Sequence, residues 1–113
     1  MQRDPRAYLW DARQAAERVV AFVAGRTWQD YATDDLLRSA VERQFEIVGE
    51  ALNKLRHADQ TLAAEIADLP RIVAFRNVLI HGYATIDDQL VWEIATERAE
   101  RLVATLNRLL GEG

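Results

Sequence analysis

Four residues able to do chemistry sit within eight positions of this chain, in the stretch RNVLIHGY: Arg76, Asn77, His81 and Tyr83. A guanidinium stays charged at any physiological pH, and its planar fork suits bidentate binding of a phosphate. An imidazole, with an unperturbed pKa of about 6.5, can take or give a proton near neutrality. Together they are enough for RNA cleavage without a metal. A base takes the 2′-hydroxyl proton, an acid protonates the leaving oxygen, and the arginine stabilises the charge building on phosphorus, leaving a 2′,3′-cyclic phosphate. One copy of the stretch supplies one histidine, whereas this scheme needs both an acid and a base. A homodimer meets the need, because a two-fold axis brings two copies of Arg76 and His81 to one shared cleft. The same residues have a plainer use: cations at the end of a helix offset its dipole, so spacing alone leaves both readings open.

The elements that must position these residues read as helices. From Tyr8 to Val23 apolar residues recur every three or four positions, with Pro5 in the first turn and Gly25 at the end. GRTWQDYATDD reads as a connection in which Thr33, Asp34 and Asp35 offer cap oxygens to the next helix, predicted over 34–57 on the stripe Leu37, Val41, Phe45, Val48, Leu52, Leu55. A shorter helical piece follows and ends at Leu69, since the residue before a proline is driven from the helical region. Pro70 then starts a helix over about 70–81, stopped where Gly82 can serve as a left-handed cap. Thr85 with Asp88 resembles a capping box, opening one last helix to Leu110, with Trp92 near its start as a candidate interface edge. The expectation is an all-α, antiparallel four- to five-helix bundle forming one domain over 1–113. On an ideal helix Arg76 and Tyr83 share a face, while Arg76 and His81 differ by about 140°. They converge only through the long arginine side chain and a relaxed last turn.

Composition narrows the function. The net charge of −4 counts against nonspecific coating of nucleic acid, which draws its affinity from Lys and Arg. From Arg71 to Tyr83, however, there are two Arg, one His and no acidic residue. Zero Cys removes disulfides and thiolate chemistry and fits a reducing cytoplasm, the expected location. A charged N-terminus and the lack of any long apolar run argue against a signal peptide or a membrane span. No metal set or cofactor is expected. Ferritin-like carboxylate bundles use Glu-x-x-His pairs, and Lys54 and Val78 stand where His57 and His81 would need glutamates.

Arg76, four intervening residues, His81, one more and Tyr83 resemble the RX4HXY motif of HepT-like toxins in the HEPN superfamily. Asn77 suits the polar position after the arginine. ERQFEIVGEALNKL, residues 42–55, resembles the family's second helix, and the likeness covers most of the chain. The resemblance implies a metal-independent ribonuclease, dimeric, with two motif copies facing one cleft. It further implies the toxin half of a prokaryotic toxin–antitoxin pair, whose MNT-type minimal nucleotidyltransferase partner silences it by moving AMP from ATP to Tyr83. By position Arg76 and His81 are then catalytic, Asn77 binds or orients the phosphate, and Glu46 and Glu50, one turn apart, support Arg76 if their helix packs behind it. The alternative is a HEPN-like module that binds a nucleotide or the partner without cleaving anything. A further rival makes the leucines of the last helix an oligomer seam.

Overall fold

The structure is a computed structural model, and it describes residues 3–82 and 85–111. Helix α1 spans Pro5–Val23, with Pro5 in its first turn and Asp4 accepting the Arg6 amide at its cap. A proline there gives up only an N–H that the helix cannot pair. Gly25, at φ 73°, turns the chain out of it. The longest helix, α3 (Asp35–Ala58), opens on Asp34, whose carboxylate accepts from Leu37 N at 3.0 Å, and ends on basic Arg56 and His57. Both helices fall where the apolar stripes place them.

Between them lies the first departure from expectation. GRTWQDYATDD is no plain connection: Trp28–Ala32 forms a one-turn helix, α2, closed by a reciprocal capping box between Thr27 and Asp30. After α3, only Gln60–Ala63 (α4) is helical, so the piece expected to run to Leu69 breaks into turns from Ala64. Helix α5 (Leu69–His81) carries the motif. Gly82 follows it at φ −108°, which corrects the left-handed cap. A glycine is needed there for space instead, since a Cβ would lie 2.8 Å from the Val78 carbonyl oxygen. Thr85 is no cap either: its hydroxyl donates to Gly82 O, and Asp87 caps α6 (Asp88–Glu97) through the Gln89 and Leu90 amides. The last helix is two helices, α6 and α7 (Ala99–Leu110), bent at Arg98 with neither Pro nor Gly to mark the place. The bend lets α6 reach α2 and α3 while α7 follows α1.

The bundle that results is all-α among the described residues, with α3 at its centre, flanked by α1 and α5, and with the α6–α7 pair closing over α1. One core cluster joins Leu9, Leu52, Leu55 and Leu106 at one end; the other joins Val19, Tyr31, Val41 and Val91. Trp92 belongs to the second, its ring 5.4 Å from that of Tyr31, so it is packing and not an interface edge.

One contact sets the distance between α3 and α5. A Cβ on Gly49 would overlap Arg76 Cβ, lie 2.7 Å from Arg76 Cγ and stand 3.3 Å from the Ile72 carbonyl oxygen. Replacing Gly49 by Ala is expected to destabilise the protein by about 1 to 3 kcal/mol, overpacking outweighing the ~1 kcal/mol that alanine gains in a helix. Urea denaturation of the two proteins measures it.

Candidate functional site

The site is built on the last two turns of α5. Leu79 and Val73 point into the core and fix the helix's rotation, which leaves Asn77, Val78, Ile80 and His81 exposed. Arg76 lies between the two environments. Its stem rests on Gly49, its Nε is buried with no hydrogen-bond partner, and its Nη1 donates to Asn77 Oδ1 at 2.8 Å. The guanidinium is therefore held at the root and directed outward beside the amide, with a buried donor still unsatisfied. Nε itself is closed off from solvent, so an incoming acceptor such as a phosphate oxygen meets the Nη groups. His81 ends the helix, exposed and without a hydrogen bond among the described residues.

Arg76 and Asn77 are thus brought together, with His81 one turn beyond on the same open end of α5. Tyr83 lies outside the described residues. Helix α3 does pack behind the motif, as the reading of Glu46 and Glu50 required. Neither carboxylate turns to Arg76, however: Glu46 pairs with Arg43 at 3.3 Å and Glu50 with Lys54 at 3.4 Å, both along α3 itself.

A residue the sequence reasoning passed over is Glu42, two full turns before Gly49 and so on the face of α3 that meets α5. Burial holds its carboxyl above the ordinary range, and the neighbouring charges of Asp88 and Glu46 raise it further against the pull of Arg38. Arg38 also braces the junction, its Nη1 donating to Ala32 O at 2.6 Å and Tyr31 O at 3.1 Å while its Nε approaches Asp88 at 3.7 Å. Tyr31, fully buried with an unpartnered hydroxyl, is pushed up by the same desolvation and acidic neighbours. The signal for Glu42 was available: a glycine inside a long helix marks a close approach, and residues four and seven positions away share its face.

On its other side α5 borders a groove of about 590 Å³, floored by Phe45, Val48 and Phe75 and walled by α6 and α7. Its rim carries Arg71, Arg98, Arg101 and Arg108 against Glu65, Asp68, Glu93 and Glu97. No net charge there favours a polyanion. Val78 at 52% and Ile80 at 38% exposure add apolar surface around the motif itself. No helix among the described residues is long and apolar enough to cross a membrane.

Comparison with known proteins agrees with the family resemblance. The sequence profile of the family described as "Ribonuclease HepT-like" matches residues 12–109. A Methanocaldococcus jannaschii protein named "Putative RNase MJ1380" is 31% identical over 103 residues, covering 89% of this chain and 92% of its own length. "Putative RNase TTE0752" of Caldanaerobacter subterraneus is 27% identical and "Probable ribonuclease HepT" of Thermococcus cleftensis 28% identical, each covering 96% of this chain and nearly all of its own length. No solved structure matches the chain.

The Glu42 environment makes a pH prediction. Its folded-state pKa is raised above the unfolded value of about 4.5, so the folded protein holds this proton more tightly. The resulting stabilisation is fully present below pH 4.5 and is lost as pH rises through the folded-state value. Glu42→Gln, neutral at every pH, is expected to raise Tm at pH 7 and to remove this decline. Thermal melts of both proteins across the acid range read the difference.

Proposed function

The chain belongs to the HepT-like ribonuclease family, and on that premise we propose that it is a metal-independent endoribonuclease acting as a dimeric toxin. The observation that carries the reading is Arg76, rooted on Gly49 with its head beside Asn77, one turn from an exposed His81. That is the arrangement a phosphate-centred reaction needs: a fixed cation, a neutral polar group and an exposed imidazole.

In this mechanism the His81 imidazole takes the proton of a ribose 2′-hydroxyl. The freed oxygen attacks the adjacent phosphorus, and the bond to the 5′-oxygen of the next nucleotide breaks. His81 of a second copy, entering as imidazolium, gives that oxygen its proton. Arg76 stabilises the charge gathered on the phosphoryl oxygens, and Asn77 keeps the guanidinium aimed. The products are a 2′,3′-cyclic phosphate and a 5′-hydroxyl, with atoms and protons balanced across the pair. Support for the second copy comes from the single motif histidine of each chain and from Val78 and Ile80, apolar yet exposed beside it.

Regulation follows the same chemistry. Tyr83, two residues beyond His81, would accept AMP from ATP through an MNT-type nucleotidyltransferase, the tyrosine oxygen displacing pyrophosphate. An added phosphate beside Arg76 would occupy the cation and crowd the cleft. The pair would then be a toxin and its antitoxin in a bacterial or archaeal cytoplasm.

His81→Ala is expected to lower the RNA cleavage rate by about 10²- to 10⁴-fold, the usual contribution of a general acid or base, with stability unchanged because the ring is exposed. Arg76→Lys should lose most activity too, since a point charge does not replace the fork. Incubation with the partner and ATP should add one adenylate at Tyr83 and stop cleavage. A His81→Ala protein as active as the wild type, or an adenylate located elsewhere, would contradict these roles.

A further inference from the structure

A second surface, across α3 from the motif, has features that the cleavage scheme does not use. On α1, Trp10, Gln14 and Arg18 recur at four-residue spacing and line a groove of about 250 Å³ against Ile47, Glu50 and Lys54 of α3. Trp10 is 47% exposed in the second turn of α1, where its neighbours Leu9 and Ala12 are fully buried. Arg18 is exposed and makes no ion pair among the described residues. At the far end Arg3 lies over the Tyr8 ring at 5.0 Å and pairs with Asp11 at 2.8 Å, which closes the groove there. Lys54 stands on the α3 wall, held by Glu50.

We propose that this groove is a single-stranded RNA subsite, in which one base stacks on Trp10 and the phosphate beside it meets Arg18 and Lys54; it rests on the ribonuclease reading above. An open indole face is a platform for any base, and stacking of this kind tolerates all sequences. The charge matches the ligand: Arg3, Arg18 and Lys54 outnumber Asp11 and Glu50 on the groove, within a chain whose total is −4. Its volume lies just below the range of about 300–1,000 Å³ that holds whole drug-sized ligands, which suits a single nucleotide better than a helix of another protein.

The position relative to the motif is also right for one strand to use both. Gly49 lies under Arg76, and the next residue, Glu50, about 100° further round α3, lines the groove. With helices packed about 8–10 Å apart, α1 and α5 stand within roughly 20 Å across α3, a span of a few nucleotides. The subsite thus supplies grip that an acidic protein otherwise lacks, away from the scissile phosphate. Cleavage would depend on it for long substrates and not for the shortest.

The test is binding of a labelled single-stranded oligoribonucleotide of about eight nucleotides to His81→Ala protein, with and without a further change at Trp10. Trp10→Ala is expected to weaken binding about 5- to 100-fold, the worth of one stacked base, while Trp10→Phe retains most of the affinity. Arg18→Gln should lower the salt dependence by about one phosphate contact. In the His81 background a dinucleotide should bind equally with or without Trp10, and in otherwise wild-type protein Trp10→Ala should raise KM for long RNA alone. Equal oligonucleotide affinity in Trp10→Ala protein of unchanged Tm would overturn the subsite, as would a change in its association state, which would make the patch a protein contact. Trp10-dependent binding by a protein that cleaves no RNA would uphold the subsite and sink the ribonuclease reading instead.

Discussion

The close approach of α3 and α5 at Gly49 is the constraint on which the site depends. A helix interior normally resists glycine, at about 1 kcal/mol relative to alanine, because the unfolded chain is so much freer. Here the missing Cβ leaves room for the first two carbons of Arg76, so a long and flexible side chain begins from a fixed point. The rotamer entropy that a free arginine would lose on gripping a phosphate is partly lost already on folding. Preorganisation of this kind explains why the guanidinium Nε can be buried without a partner: packing, not a hydrogen bond, places it.

The rest of the bundle serves that crossing. The α3 stripe that faces α1 makes one core cluster with Leu9 and Leu106, and Phe45 meets Phe75 edge-on at 5.4 Å, so α5 is clamped at a ring pair on one side of Gly49. In the last turn of α5 Leu79 stays in the core, while Val78, Ile80 and His81 around it are exposed. Stability is concentrated behind the site and chemistry is carried at its edge. Acidic residues gather at another junction, around Glu42 and Asp88, where Arg38 ties α2, α3 and α6.

How much of this the sequence disclosed depends on the range of the interaction concerned. Helices α1 and α3 were legible because their stripes are long and their caps local: Asp34 and Pro5 act within three residues of where they stand. The short α2 was passed over because one turn has no periodicity, although its Thr27 and Asp30 box was written in the chain. The break at Arg98 had no local marker at all; it follows from α6 and α7 packing on different helices. At the candidate site, Arg76, Asn77 and His81 are proposed from type and spacing, whereas any support from Glu46 and Glu50 depends on which side of α3 meets α5. That is a tertiary fact. Gly49 decides it, and Glu42 and Glu46, not Glu50, lie on its face.

The central claim is that these residues cleave RNA by internal attack of the 2′-oxygen, and the ends of the products record the mechanism directly. The measurement is end-group analysis of RNA cut by the purified protein in the presence of EDTA. The account predicts 2′,3′-cyclic phosphate and 5′-hydroxyl ends, formed at the same rate with or without the chelator. Cleavage abolished by EDTA, or leaving 3′-hydroxyl and 5′-phosphate ends, would contradict it, because water and not the ribose would then be the nucleophile.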